Sequence, residues 1–354
     1  MPVSGLFHLC RCAGSDPLNE SCAYVTTSAP AVTDTRKTVE ADRTEPKAWG
    51  AVFVALLILT FGAAIARAAL NAGMPAVNVA AFRLLVAWIV ITPLVLLRHR
   101  DAFRMLERRH ILLAWLAGFW LAVHFVALAF ALDYARIMVV QTLINTIPLW
   151  AALLETTVLR TRLPRVVWIG LTLTILGSGL IAVFGWLSET PPLMTPPETV
   201  AFGARSTQTA TLGALLAIFG AITAAVYLVI GRRVRADVPL MPYIWMLFGS
   251  AALIGMVFVA ITRTPVTGYD GMAYFWLILL ALGPQLVAHS CINYALAHIP
   301  ATVVSLASQF ITITAPVVAF FAFAEVPTLV EMVGSAIIAS GVVIALAGQI
   351  RSRR

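Results

Sequence analysis

Polar side chains recur at helical spacing within long apolar runs of this sequence. Trp120 and His124 stand four residues apart, and Gln285, His289 and Asn293 follow one another at the same interval. Residues four apart lie on one face of an α-helix, so each set forms a polar stripe. Amides bind ligands through hydrogen bonds, and an imidazole exchanges protons near neutral pH. The stripes therefore predict a cavity lining, with His124 and His289 as candidates for proton coupling.

A second pair of stripes is related by a constant shift along the chain. Gln141 and Asn145 lie on one predicted helix, and a shift of 164 residues leads to Ser305 and Gln309 on another. Glu155 lies near the end of the first of these helices and is a third candidate for proton coupling. Polar side chains within membrane helices usually face the interior of a bundle. Four helices are thus expected to line one central cavity.

Simpler interpretations of these residues stay open. Gln, Asn and Ser also join membrane helices through hydrogen bonds worth about 0.6–2 kcal/mol each. A buried histidine can be a neutral hydrogen-bonding residue, Glu155 a paired carboxylate at the membrane interface, and Trp120 part of the apolar core. The sequence has no His-Glu-x-x-His motif, nucleophile elbow or P-loop, each of which would indicate an enzyme. No catalytic residue, metal ligand or cofactor is predicted.

The composition places the stripes in a membrane. Of the 354 residues, 60% are hydrophobic and 11% are charged, whereas soluble domains have roughly 45–50% apolar and about 25% charged residues. So few charges cannot cover a surface that faces water, and the lipid bilayer is the expected solvent. The net charge of +8 does not predict nucleic-acid binding, because Lys and Arg form short blocks between apolar runs instead of one basic face.

Apolar runs of the roughly 20 residues needed to cross a bilayer recur along the chain. They predict an all-α integral membrane protein with ten transmembrane helices. The predicted helices are 48–69, 75–97, 111–132, 135–157, 165–186, 211–231, 240–262, 272–296, 301–323 and 327–349. We expect a disordered cytoplasmic tail over 1–46, a five-helix repeat over 47–186, a polar, proline-rich linker over 187–210 and a second five-helix repeat over 211–350.

The distribution of positive charge predicts the side that each loop faces. Most of the 24 Lys and Arg residues lie in the N-terminal tail, in alternate loops and at the C-terminus. Outside the tail, the blocks are 98–109, 160–165, 232–235 and 351–354. Cytoplasmic loops carry such an excess of positive charge. We therefore expect a multi-pass protein of the cell inner membrane with both termini in the cytoplasm.

The two halves repeat one another in opposite orientation. The 164-residue shift superposes Gly170 on Gly334 and Gly177 on Gly341. A unit with an odd number of helices ends on the opposite side of the membrane from its start, so its second copy is inverted. Two inverted copies of one fold have two related conformations, open to opposite sides, around a site near the midplane. This architecture is typical of a transporter that works by alternating access.

Four segments of the chain carry a family resemblance. They are PAVNVAAFRLLVAW at 75–88, FVALAFALDYARIMVVQTLINTIPLWAALL at 125–154, GALLAIFGAITAAVYLVIGRRV at 213–234 and AEVPTLVEMVGSAIIASGVVIAL at 324–346. Together they resemble the EamA-type permeases of the drug/metabolite transporter superfamily. That family ends each half with a Glu followed nine residues later by a Gly. Glu325 and Gly334 keep this pattern, whereas Thr161 stands at the matching distance before Gly170.

The resemblance implies a secondary transporter that exports a small organic metabolite, amino acid or drug. An importer or a nucleotide-type carrier of the same fold is the alternative, and a channel or an intramembrane enzyme fits less well. The expected partners are a small-molecule substrate, the lipid bilayer and protons, without nucleic acid, and the chain is expected to act as a monomer or homodimer. The resemblance gives Arg83 a structural role, although its guanidinium could also bind an anionic group.

Overall fold

The computed structural model describes residues 35–104, 106–134, 140, 143–187, 207–311, 314, 317–318, 321 and 329–351. Every regular element within those ranges is helical. Lipid offers no hydrogen bonds to backbone N–H and C=O groups, and a helix satisfies nearly all of them within one segment. An apolar sequence that crosses a membrane therefore folds into helices.

The first half of the chain begins with a long helix. Its described elements are α1 (Thr35–Asn71), α2 (Ala76–Arg98), the short α3 (Arg100–Arg104), α4 (Arg108–Tyr134), α5 (Ile147–Thr157) and α6 (Arg165–Leu187). α1 begins at Thr35, inside the segment 1–46 that the composition predicts as a tail. Residues 1–34 lie outside the described residues.

The second half follows the same order of elements. It comprises α7 (Thr207–Arg235), α8 (Leu240–Ile261), α9 (Gly271–Leu280), a π-helical segment (Ala281–Ala288), α10 (His289–Ala295), α11 (Ala301–Ser308) and α12 (Leu329–Arg351). α7 begins at Thr207, within the predicted linker 187–210, and residues 188–206 of that linker lie outside the described residues.

Six helices in the described part of the chain are long and apolar enough to cross a membrane. They are Pro46–Asn71, Ala76–Arg98, Arg108–Ala131, Leu212–Arg235, Leu240–Ile261 and Gly271–Ala295. Shorter apolar helices occupy Arg165–Leu180 and Met332–Gly348. The chain is therefore a multi-pass membrane protein. A total of ten membrane helices stays a prediction, because the segments 135–157 and 301–323 are described only in part.

The helix predicted over 272–296 changes its winding in the middle. α9 leads into the π-helical segment Ala281–Ala288 before α10 resumes α-helical winding. Pro284 lies inside the π segment. A proline has no N–H and crowds the carbonyl one turn before it, so it disfavours regular α-helical bonding at that point. π-helical turns occur frequently at functional sites, and this one carries Gln285 and ends just before His289.

Helices of the two halves pack in matching pairs within the unit Ala41–Arg354. α2 lies against α8, α5 against α11, and α6 against α12. α4 of the first half contacts α8 of the second. The π segment, which is the second half's equivalent of α4, contacts α2, the first half's equivalent of α8. An extended cluster of buried apolar side chains takes residues from both halves, among them Leu121, Tyr243 and Leu296. The core therefore depends on both repeats.

The crossing of α6 and α12 follows a two-fold pattern. A Cβ added at Gly170 would lie 2.4 Å from the carbonyl oxygen of Gly341, and one added at Gly177 would lie 2.7 Å from that of Gly334. The two helices therefore run antiparallel. The 164-residue shift exchanges these two contacts, as a two-fold axis between equivalent helices requires. Because the paired helices are antiparallel, the axis is perpendicular to them and the repeats are inverted.

Loops predicted to share a side of the membrane are in contact. His110 at the start of α4 has its Nε2 3.6 Å from a carboxylate oxygen of Asp237, which follows α7. At the opposite end, Asn78 of α2 donates a hydrogen bond to the carbonyl oxygen of Pro265, after α8, at 2.6 Å. Both contacts agree with the prediction from the positive charges that successive loops lie on alternate sides of the membrane.

Candidate substrate site

A polar cluster surrounds Arg83 of α2, where this helix meets α4 and the π segment. Nε of Arg83 donates a hydrogen bond to Oε1 of Gln285 at 2.9 Å. The guanidinium carbon lies 4.5 Å from the ring centre of Phe125 on α4, a distance at which a cation is attracted to an aromatic face. The ring of His289 is centred 6.0 Å from that of Phe125. Both halves of the chain thus contribute to one cluster.

Two buried polar atoms of this cluster have no hydrogen-bond partner among the described residues. They are Nε2 of Gln285 and Nδ1 of His289. Gln285 is fully buried, and its orientation follows from chemistry, since a flipped amide would direct its NH₂ group at the Nε–H of Arg83. A buried polar group without a partner costs about 1–3 kcal/mol. A ligand with acceptor oxygens would satisfy the Gln285 amide.

His124 of α4 is buried against α7. Its Nδ1 lies 2.8 Å from the carbonyl oxygen of Gly220, and because a carbonyl only accepts, Nδ1 carries the proton of this bond. Nε2 is then the ring atom left for a ligand or a second proton. Trp120, on the same predicted face, stacks edge-on against Phe119 at 5.3 Å and packs on the main apolar core. Proton coupling by either histidine stays a prediction.

Asn145 and Gln309, which the repeat shift matches, are in direct contact. Nε2 of Gln309 donates to the carbonyl oxygen of Asn145 at 3.1 Å, and Oε1 of Gln309 is buried without a partner in the described part of the molecule. Two residues that a two-fold axis exchanges can touch each other only near that axis. Asn145 and Gln309 therefore lie close to the axis that relates the two repeats. Ser305 lies one turn earlier on α11, and its hydroxyl donates to the carbonyl oxygen of Thr302 at 2.9 Å. Gln141 lies outside the described residues.

Asn293 extends the polar path away from Arg83. It is fully buried, and its Nδ2 donates to the carbonyl oxygen of His289 at 2.7 Å. Its own carbonyl oxygen accepts a hydrogen bond from Nε of Arg235 at 3.0 Å. Oδ1 of Asn293 has no partner among the residues that the structure describes. The stripe predicted from Gln285 to Asn293 therefore leads toward the end of α7.

Glu155, at the end of α5, is fully buried and holds the start of α11. Its carboxylate accepts hydrogen bonds from the backbone N–H groups of Ala301 at 2.7 Å and Thr302 at 3.0 Å, and from the Thr302 hydroxyl at 2.7 Å. Nε of Arg232 on α7 lies 3.1 Å from the same carboxylate. A helix N-terminus and a guanidinium both stabilise negative charge. Glu155 thus joins three helices, and proton coupling by this residue stays a prediction.

Arg83 and Phe125 are the members of the cluster that the polar stripes do not include. Phe125 is indistinguishable by type from the apolar residues around it. The sequence could have indicated Arg83 as a site residue, because α2 (Ala76–Arg98) contains no Asp or Glu to pair with it. A basic residue in the middle of such a helix needs a partner from another element or from a ligand.

Two clefts in the described part of the chain have linings that include no residue of this cluster. One, of about 460 Å³, is lined by residues of α6 and α12 such as Val166 and Gly348. The other, of about 360 Å³, lies between α1 and the π segment, at Phe61 and Pro284. Both linings are almost wholly apolar, whereas a site for a polar molecule needs a few well-placed polar groups. The cluster around Arg83 supplies such groups.

Comparison with known proteins agrees with this architecture. The model of the EamA-like transporter family matches residues 48–183 and 211–347, once in each half. No curated protein matches the chain. One solved crystal structure superposes with a TM-score of 0.67 at 18% sequence identity, over 86% of this chain and 98% of the other, a likeness that shows the fold alone. Since the family model covers both repeats, the chain belongs to the EamA-like transporter family of the drug/metabolite transporter superfamily.

Proposed function

We propose that this transporter exports a small organic metabolite, amino acid or drug across the inner membrane by alternating access. The contact between Asn145 and Gln309 is the observation that carries the proposal. These two residues occupy equivalent positions in inverted repeats, and such repeats exchange conformations when a transporter opens to the other side. Polar groups at the axis occupy equivalent positions in the two conformations, as a substrate site near the midplane requires.

In the mechanism we propose, the substrate binds between the halves, and the halves rock about it. The lining residues are Trp120, His124, Gln141, Asn145, Gln285, His289, Asn293, Ser305 and Gln309. The bonds of Glu155 to α11 and to Arg232 hold α5, α7 and α11 together at the end that the positive charges assign to the cytoplasm. Opening toward the cytoplasm then requires these three helices to separate or to move as one body.

A flux assay in vesicles of known orientation distinguishes a carrier from a channel, because only a carrier saturates. The same assay reveals the direction of transport. Inside-out vesicles that contain the protein are incubated with a panel of labelled amino acids, metabolites and drugs in the medium, with and without an imposed pH gradient. If the protein is an exporter, the substrate enters these vesicles, the rate of entry saturates with substrate concentration, and counterflow is observed. Flux that follows the pH gradient supports proton coupling through His124, His289 or Glu155. Linear flux without counterflow would contradict the carrier mechanism.

Substitutions at the axis test the proposed site. Gln309→Leu removes the side chain that bonds to the Asn145 carbonyl, and we expect it to reduce transport at least tenfold while membrane insertion is retained. Asn145→Ala and Gln141→Ala should also impair transport. Ser340→Ala is the matched control, because the Ser340 hydroxyl is exposed and bonds only within its own helix, to Ile337. Normal transport by all three variants would show that the substrate binds elsewhere.

A further inference from the structure

Arg83 has no carboxylate partner in the described part of the chain. Acidic side chains there pair with other basic residues: Asp101 with Arg104, Asp237 with Arg233, and Glu155 with Arg232. α2 itself contains no acidic residue. A charged group within a membrane bundle is costly unless an opposite charge or several hydrogen bonds compensate it. One neutral amide oxygen at 2.9 Å and one aromatic face compensate this guanidinium only in part.

The unused donors of the cluster lie side by side. Arg83 bonds to Gln285 through Nε alone, so the edge formed by its two terminal nitrogens has no partner among the described residues. Nε2 of Gln285 shares a carbon with the oxygen that accepts this bond, and it is also buried without a partner. The guanidinium carbon of Arg83 lies over the ring of Phe125, and this contact uses none of the N–H donors. A guanidinium edge binds the two oxygens of a carboxylate through parallel hydrogen bonds.

We propose that Arg83 and Gln285 form a carboxylate subsite, and that the substrate carries a single carboxylate with an adjoining apolar group. This inference rests on the proposed transport function and narrows its substrate class to monocarboxylates and amino acids. One cation with neutral neighbours balances one negative charge, whereas a phosphate monoester, with nearly two, needs a second cation. The rings of His289 and Phe125 pack against each other beside Arg83, and they would provide aromatic surface for the rest of the molecule.

Paired ligands test the charge requirement directly. The purified full-length protein is heated in detergent with each of several amino acids and monocarboxylates, with the primary amide of each, and with inorganic phosphate. A ligand that binds the folded state raises Tm as its concentration exceeds its Kd. We expect at least one carboxylate to raise Tm and its amide to bind roughly 10–100-fold more weakly. Amides or phosphate that act as well as the carboxylates would overturn the inference.

Two substitutions assign the effect to this subsite. Arg83→Gln should abolish the response to carboxylates. Gln285→Glu supplies an anion from the chain itself, next to Arg83, so we expect a ligand-free protein at least as stable as the wild type that no longer responds to carboxylates. This second variant is informative even if Arg83→Gln does not fold. A folded Gln285→Glu protein that responds like the wild type would overturn the subsite.

Failure of this inference is separable from failure of the proposed function. Saturable transport of a neutral or cationic compound that is unchanged in Gln285→Glu would leave the carrier intact and refute the carboxylate subsite. Flux that is absent or linear for every compound would refute the carrier itself, whatever ligands raise Tm. A wild-type Tm that none of the carboxylates raises would refute the subsite, while transport of other compounds still tests the carrier.

Discussion

Glu155 offers the sharpest test of how the two repeats are joined. Its carboxylate accepts from two backbone N–H groups and one hydroxyl at the start of α11 and pairs with Arg232. Glu155→Ala leaves the two N–H groups without their acceptor, at about 1–3 kcal/mol each. Breaking a buried ion pair from one side costs about 3–5 kcal/mol. Because these contributions overlap, we expect a total loss of about 3–5 kcal/mol.

Glu155→Gln should destabilise the protein less. Its amide oxygen can still accept from Ala301 and Arg232, and the Thr302 hydroxyl can turn to accept from the new NH₂ group. The Thr302 N–H alone then loses its acceptor, so we expect a loss of about 1–3 kcal/mol. Asp101→Asn is the control, since it removes an exposed pair with Arg104, and exposed pairs contribute about 0–1 kcal/mol.

Thermal unfolding in detergent, followed by tryptophan fluorescence, measures this series. The unfolding entropy near 60 °C is about 2.1 cal/mol/K per residue, or roughly 0.74 kcal/mol/K for a chain of 354 residues. A loss of about 3–5 kcal/mol from Glu155→Ala should therefore lower Tm by about 4–7 °C. The order of the losses in stability should be Glu155→Ala, then Glu155→Gln, then Asp101→Asn. If Glu155→Ala unfolds at the same temperature as Asp101→Asn, the carboxylate does not hold α11 and the reasoning is wrong.

Three further predictions follow from individual contacts. Gly170→Ala should destabilise the protein by about 1–3 kcal/mol, because its Cβ would meet the backbone of α12. Gly179→Ala on the same helix is the control, because a Cβ at Gly179 would have nothing within 4 Å. Equal Tm values for the two variants would contradict the close crossing of α6 and α12. Thr302→Val removes one donor to Glu155 and should lower the free energy of unfolding by about 1 kcal/mol, a loss that should vanish in a Glu155→Ala background. The predicted topology places Arg354 in the cytoplasm, so alkaline phosphatase fused after it should be inactive and a fluorescent protein fused there should be bright. Phosphatase inserted within 187–210, on the opposite side, should be active. The reverse pattern would overturn the topology.

The repeat could be found in the sequence because it is a property of spacing. The 164-residue shift matches Asn145 with Gln309 and Gly170 with Gly334 before any contact is known. The structure then brings Asn145 against Gln309. Gly170 lies against Gly341 instead of its own equivalent Gly334. A two-fold axis explains both results, since residues on the axis touch their equivalents and residues away from it touch each other crosswise.

The partners of buried charges could not be read from the sequence. Arg83 and Gln285 are 202 residues apart, and Glu155 and Ala301 are 146 apart. No local pattern links residues at such distances, because their meeting depends on how several helices pack. The regular stripe predicted through Gln285 also misses the π segment, since the effect of Pro284 on winding depends on its surroundings as well as on its missing N–H.

By itself, the sequence determined that this protein is a multi-pass helical membrane protein of two related halves. Length and hydropathy decide where a helix can lie in lipid, and both are local properties of the chain. Only the tertiary structure decided which polar groups meet: Arg83 with Gln285 and Phe125, and Glu155 with the start of α11 and Arg232. Electrostatic and hydrogen-bonding energies depend on distances of a few ångströms between separate helices, and packing alone sets those distances.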